Sequence, residues 1–171
     1  LVRTYAISTG LPGWTDRFAG QVGGDDLVEG MTEDAEGNIL VSGQEGSVGV
    51  LLSRVRKLTP IGALLWSTQY QRTPSRGLAS YSGGRFVTFD FTTAWYSRLI
   101  GHASGGDETW VRTVNYSSGF PRARPGEIVP HPAGGFVMTG SPDESPYISD
   151  LAVWRIRDPL KCVSLIPERD D

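Results

Sequence analysis

The chain has 171 residues, a formal net charge of -3 and a pI near 5.4. This acidic balance argues against a general nucleic-acid binder, which needs a basic surface that releases counterions. No apolar run reaches the roughly 18 residues of a membrane span. The first residue is Leu rather than Met, so we expect a processed protein or a piece of a longer chain. We expect it to be soluble and to be located outside the cell or in the cell envelope.

The composition favours short strands joined by tight turns. The chain contains 22 Gly and 11 Pro, yet 39% of its residues are hydrophobic and five are Trp. A disordered chain lacks the aromatic and branched residues needed to offset the cost of ordering. Cys162 is the single cysteine, so no disulfide forms within the chain, and we expect a packed core thiol.

In chain order, the first predicted unit has four strands, at about 27–33, 38–43, 48–58 and 64–70. Glycines supply the positive-φ positions of the tight turns between them. Residues 1–5 have the same form as the fourth strand, 66–70, so we expect the chain to begin at an equivalent point of the unit.

Two segments of this unit recur downstream. The sequence GNILVSG at 37–43 returns as GGRFVTF at 83–89 and as GGFVMTG at 134–140. The segment that ends at Trp66 returns with its Gly and Trp at Gly106 and Trp110, whereas the third copy has Ser164 in the place of the Trp. Repeats of this length with several short strands are typical of propeller blades. We predict a single domain over 1–171, with repeats at about 1–65, 66–109 and 110–163 and a stub at 164–171.

The pattern D-x-x-G-N-hydrophobic-x-V-x-G, followed by K-L-x-x-x-G-x-L-L-W, resembles the bacterial β-propeller repeats of the SBBP type and, more weakly, quinoprotein-type blades. It is carried by Asp34, Gly37, Asn38, Val41, Gly43, Lys57, Leu58, Gly62, Leu64, Leu65 and Trp66. The resemblance implies an all-β fold of three four-stranded antiparallel blades, with a β-sandwich of the same strands as the alternative. Three blades cannot ring a channel, so we expect a homo-oligomer or additional blades from a partner or a longer chain. In one such assembly, the strand at 1–5 completes the last blade of a second copy.

The predicted ligand face collects the loops between successive blades and between the two middle strands of each blade. These loops include 8–26, 43–47, 71–75, 89–95, 115–126 and 140–150. Aromatic rings beside charged groups are typical of polar-ligand or glycan sites. The candidate binding residues are Trp14, Asp16, Arg17, Asp90, Trp95, Tyr116, Arg122, Arg124 and Tyr147. The alternative is that they are solvated loop residues with a few packed aromatics.

No constellation for catalysis, metal binding or a cofactor stands out. The acidic loop clusters lack the spacing of a calcium loop, and the two histidines occupy non-equivalent repeat positions. We therefore expect a non-catalytic binding or protein-interaction module with no metal and no cofactor. The alternatives are a lectin-like glycan-binding propeller and a glycan hydrolase or lyase, which would require a pair of carboxylates.

Overall fold

The computed structural model describes residues 1–17, 26–47, 50–70, 75–93, 96–115, 123–132, 135–145, 148–149 and 152–156. The described part of the chain is all-β, with antiparallel sheets and one short 3₁₀ turn at Ser82–Gly84. Its strands are β1 (Val2–Tyr5), β2 (Pro12–Asp16), β3 (Leu27–Glu33), β4 (Ile39–Ser47), β5 (Val50–Leu58), β6 (Leu64–Tyr70), β7 (Ser75–Tyr81), β8 (Arg85–Thr93), β9 (Tyr96–His102), β10 (Glu108–Asn115), β11 (Ala123–Pro130), β12 (Phe136–Ser145), β13 (Ile148–Ser149) and β14 (Ala152–Ile156).

The strands form an N-terminal hairpin and three larger sheets. The hairpin consists of β1 and β2. Sheet one has the order β3-β4-β5-β6, and sheet two has the order β7-β8-β9-β10. In sheet three, β12 lies beside β11 and also pairs with β13 and β14. The four strands predicted for the first unit are therefore confirmed, with β4 extended to Ser47.

The three sheets stack face to face in chain order, and the core lies between them. One buried cluster joins Leu40 and Val55 of sheet one to Leu78 and Phe86 of sheet two. A second cluster joins sheet two to sheet three; it contains Ala79, Val87, Phe89, Leu99, Ile128, Phe136 and Met138. Sheet two is thus covered on both faces, which explains why adjacent apolar residues such as Phe86 and Val87, or Leu99 and Ile100, are all buried.

The strands correct five of the predicted loops. In the loops predicted at 89–95, 115–126 and 140–150, residues 89–93 lie in β8, 123–126 in β11, and 140–145 and 148–149 in β12 and β13. Residues 43–47 belong to β4, whose ladder with β5 continues to the pair Ser47 and Val50. The predicted loop at 8–26 contains β2. In these places the strands extend past, or lie between, the strand ends predicted from the sequence.

Candidate functional site

A strand-turn-strand unit occurs three times, as β1–β2, β5–β6 and β9–β10. Each turn holds a glycine at positive φ, with φ of 68° at Gly10, 84° at Gly62 and 98° at Gly106. A backbone hydrogen bond closes each turn, for example from Thr59 N to Ala63 O at 2.8 Å. The register also shifts at the same place in all three pairs, just before the turn. The N-terminal hairpin therefore has the geometry of the third and fourth strands of a sheet.

Trp14 on β2 and Trp66 on β6 each pack on the turn of the next strand-turn-strand unit. Trp66 Nε1 donates to the carbonyl of Ser104 at 3.1 Å, and Trp14 Nε1 donates to the carbonyl of Pro60 at 2.8 Å. A glycine lies beneath each ring, because a Cβ at Gly62 would stand 2.6 Å from the Trp14 ring. The N-terminal hairpin thus lies against sheet one as sheet one lies against sheet two.

This contact corrects two predictions. Residues 1–5 were expected to match the fourth strand, 66–70, but the pairing of β1 with β2 makes β1 the match of β5. Trp14 was expected in a ligand loop, but it lies on β2 and packs on the turn at Pro60. The sequence signal that we missed is G-x-x-x-W, which occurs at 10–14, 62–66 and 106–110.

Met31, Leu78 and Ile128 occupy equivalent positions on the first strands of the three sheets, which we call the same level of the sheets. Met31 pairs with Val41, Leu78 with Thr88 and Ile128 with Met138. The three pairs are equivalent because each second strand begins its pairing with the third strand at the same place. These starting pairs are Ile39 with Leu58, Phe86 with His102 and Phe136 with Ile156, and Val41, Thr88 and Met138 each follow two residues later.

These equivalent residues differ sharply in burial. Leu78 is 5% exposed because sheet one covers it, and Ile128 is 3% exposed because sheet two covers it. Met31 is 62% exposed. Val28 lies on the same side of β3 and is 52% exposed, since it pairs with Gly43 as Met31 pairs with Val41. We call the side of sheet one that carries Val28 and Met31, away from sheet two, the open face.

A groove with a volume of about 60 Å³ runs between the N-terminal hairpin and the open face. Its apolar lining includes Leu1, Val2, Val28 and Val41. One end of the groove is polar, because Arg56 Nη1 lies 2.5 Å from Asp16 Oδ2 and both side chains are mostly buried. This ion pair ties the hairpin to sheet one, so the groove has fixed walls on both sides.

A second charged group lines the polar end of the groove. Arg54 donates from Nε and Nη2 to Glu45 Oε2, at 2.8 and 2.6 Å. Gln69 Nε2 donates to the same oxygen at 2.9 Å. The carboxylate of Glu45 is therefore satisfied from three donors, which fixes the arginine at the rim of the groove.

The five predicted binding residues that the structure describes lie in three places: the N-terminal hairpin, sheet two and sheet three. Asp16 is held by Arg56, and Arg17 is exposed at the end of the hairpin. Asp90 lies within β8 rather than in a loop, 2% exposed, with Arg98 Nη2 3.7 Å from its Oδ2. Arg124 lies on β11. The other four predicted residues lie outside the described residues: Trp95, Tyr116, Arg122 and Tyr147.

Among the described residues, the most buried charge pair belongs to the repeat motif at the first turn of sheet one. Lys57 Nζ lies 2.8 Å from Asp34 Oδ2, and the Asp34 side chain has no solvent exposure. Asp34 Oδ1 also accepts hydrogen bonds from the backbone N–H groups of Glu36 and Asn38, both at 2.9 Å. Burial alone would raise the pKa of Asp34, but the Lys57 ammonium and the hydrogen bonds from Asn38 and Glu36 hold that pKa below its usual range. We assign this motif to turn formation rather than to ligand binding.

His102, like Asp90, is a buried titratable group in the described part of sheet two. Its ring stacks on Phe86 at 4.5 Å, and its Nε2 lies 2.9 Å from Thr88 Oγ1. The Tyr70 hydroxyl lies 3.3 Å from its Nδ1 and donates to the carbonyl of Gly106 at 2.6 Å. The imidazole is enclosed by packing residues, which fits a role in joining sheets one and two.

Among the described residues, no group of three or more His, Cys, Asp or Glu side chains is placed to hold a metal ion. The same part of the chain holds no helix long and apolar enough to cross a membrane. A scan of known protein-family models finds none that matches, and a search of curated proteins likewise finds no match.

Proposed function

We propose that this chain is a non-catalytic protein-interaction module built from propeller-type blades. The blade interpretation draws support from the serial stacking of the sheets and from the Trp-on-turn contact, which recurs with the same donor and the same kind of acceptor. A β-sandwich places two sheets against each other, whereas here sheet two is covered on both faces. The first strands β3, β7 and β11 are neighbours in space, as expected for blades arranged around an axis.

The interaction role rests on one observation, the exposure of Met31 at a level where Leu78 and Ile128 are buried. A long apolar side chain on a regular strand gains free energy when a partner covers it, at about 25 cal/mol for each Å² of apolar surface removed from water. The groove beside it is lined by both apolar and charged residues, a combination that is common at protein interfaces. We therefore assign partner binding to the open face rather than to the loops predicted from sequence.

The test places a photo-crosslinking amino acid at position 31 and, in a matched variant, at position 111. Val111 is a 46% exposed residue on the fourth strand of sheet two and does not belong to the open face. We expect irradiation in the source cells to give one recurrent adduct of defined mass from position 31 and none from position 111. Equal yields from the two positions would contradict an interaction role for the open face.

A further inference from the structure

The N-terminal hairpin supplies only half of a four-stranded unit. In sheets one and two, the strand that matches β1 has a neighbour on each side, because β5 lies between β4 and β6 and β9 lies between β8 and β10. Within the described residues, β1 pairs with β2 on one side and has no ladder on the other. The open face lies beside this unpaired edge, since Val2 of β1 and Val28 of β3 line the same groove.

The interface between sheets two and three gives the form of the missing half. There the first two strands of sheet two, β7 and β8, present Ala79, Val87 and Phe89 to sheet three. On sheet three they pack against Ile128 and Phe136. These two residues are equivalent to Met31 and Ile39 of sheet one. The occupant of the open face therefore needs two strands with apolar side chains at alternate positions.

We propose that the open face binds a two-stranded antiparallel β-hairpin from outside residues 1–171, which continues the ladder of β1 and covers Met31 and Val28. This inference rests on the proposed function and specifies its partner. An added strand gains main-chain hydrogen bonds from the β1 edge, and its alternate side chains fill the groove. Its other face remains exposed in this arrangement and is expected to be polar.

The geometry selects a hairpin over the other occupants. A complete four-stranded sheet does not fit, because β1 and β2 already stand where its third and fourth strands would lie. A helix would leave the N–H and C=O groups of the β1 edge without a ladder. A second copy of the chain presents sheets one and two as complete four-stranded units, so it would have to open one of them to donate two strands. We therefore place the source of the hairpin outside residues 1–171.

The probe is a fluorescein-labelled synthetic peptide with the sequence of residues 75–93, which form the chain's own β7–β8 hairpin and carry the apolar pattern described above. Fluorescence anisotropy measures its binding to the 171-residue chain, with a scrambled peptide of the same composition as a control. We expect saturable binding that Met31→Glu weakens at least about tenfold and that Val111→Glu leaves within about twofold. Thermal unfolding of both variants without peptide confirms that they fold.

Hydrogen exchange then separates the hairpin proposal from the interaction role itself. If the peptide adds to the ladder, the amides of residues 2–5 exchange more slowly in its presence, while those of residues 96–115 are unchanged. Peptide binding that depends on Met31 but leaves the β1 amides unprotected would overturn hairpin addition and keep the interaction role. Absence of peptide binding would overturn the hairpin proposal. Protection of the β1 amides that appears without peptide, as the chain alone dimerises with rising concentration, would also overturn it. The crosslink at position 31 tests the interaction role independently of both results.

Discussion

The covered side and the open face of sheet one are built by the same strands but have different surroundings. On the covered side, Leu40 and Val55 have no solvent exposure because Leu78 and Phe86 pack against them. On the open face, Met31 and Val28 are more than half exposed, although they are as apolar as the residues that fill the same level in sheets two and three. A β-strand therefore does not determine its own burial; the neighbouring sheet determines it.

The N-terminal hairpin makes this comparison informative, because it covers only part of the open face. It reproduces the outer half of a sheet-to-sheet contact, with Trp14 on the turn at Pro60 and Asp16 paired to Arg56. The inner half, at Met31 and Val28, has no cover among the described residues. Substitutions on the two sides of sheet one should therefore differ in their effect on stability by several fold.

The largest effect is expected on the covered side. Replacing Phe86 by Ala should lower the free energy of unfolding by about 4 kcal/mol, because it empties a fully buried site and removes the ring stacked on His102. Denaturation in urea measures the change. Phe86→Leu is the control and should lose less than half as much, since it keeps most of the buried volume. A loss below 1 kcal/mol for Phe86→Ala would show that this interface is not the core.

The next effect concerns the buried ion pair beside that interface. Asp34→Ala leaves the ammonium of Lys57 without its closest carboxylate, and removing one partner of a buried pair costs about 3 kcal/mol. The variant Lys57→Met is the matched partner, because it removes the other charge and leaves the carboxylate of Asp34 with its Asn38 and Glu36 donors. The double variant should be less destabilised than the sum of the two single variants.

The same pair sets a pH dependence with a defined sign. The pKa of Asp34 is lower in the folded protein than its ordinary value of 3.8. The folded state therefore binds fewer protons than the unfolded state, so this contribution is fully present above pH 3.8 and is lost as the pH falls through the lower folded pKa. Urea denaturation at several pH values should show this loss in the native chain and a weaker pH dependence in Asp34→Asn. Identical pH profiles would contradict the assignment.

A smaller effect is expected at the N-terminal hairpin. Trp14→Ala removes a half-buried ring and its bond to Pro60, for which we expect a loss of about 2 kcal/mol. Hydrogen exchange should show faster exchange in residues 2–16 and little change in sheets two and three, because the Trp14 ring packs on the turn of sheet one. The equivalent Trp66→Ala should instead loosen the contact between sheets one and two. Equal effects of both variants across all sheets would contradict local docking of the hairpin.

The sequence predicted the strands of sheet one well, because glycine turns at Gly37 and Gly62 mark their ends and their apolar residues repeat. Residues 1–5 were matched to the wrong strand of the unit because they resemble both a third and a fourth strand in composition. The G-x-x-x-W spacing would have resolved this choice, since it places Trp14 rather than Leu1 on the last strand. Spacing from a turn glycine therefore carried more information than the similarity of single strands.

The candidate site was harder to predict, for a physical reason. Met31 resembles an ordinary core residue in sequence, and it differs from Leu78 only in what lies opposite. Asp90 was predicted in the loop at 89–95, yet it lies in β8, buried beside Arg98. A pairing partner on the neighbouring strand cannot be read from one strand alone. Exposure of an apolar position is a property of the assembled sheets, so it needed coordinates.

The smallest expected effect is the sharpest test of the comparison. Met31→Gln should change the free energy of unfolding by less than about 0.5 kcal/mol, because a side chain that is 62% exposed gives up little burial when it becomes polar. Leu78→Gln, at the same level of sheet two, should cost several times more, because it buries an amide against Leu40 and Val55. Urea denaturation of the two variants side by side measures the ratio, and Met31→Leu provides a control for size. If Met31→Gln were as destabilising as Leu78→Gln, the open face would already be covered in the isolated chain, and neither a groove nor an added hairpin would be available to a partner.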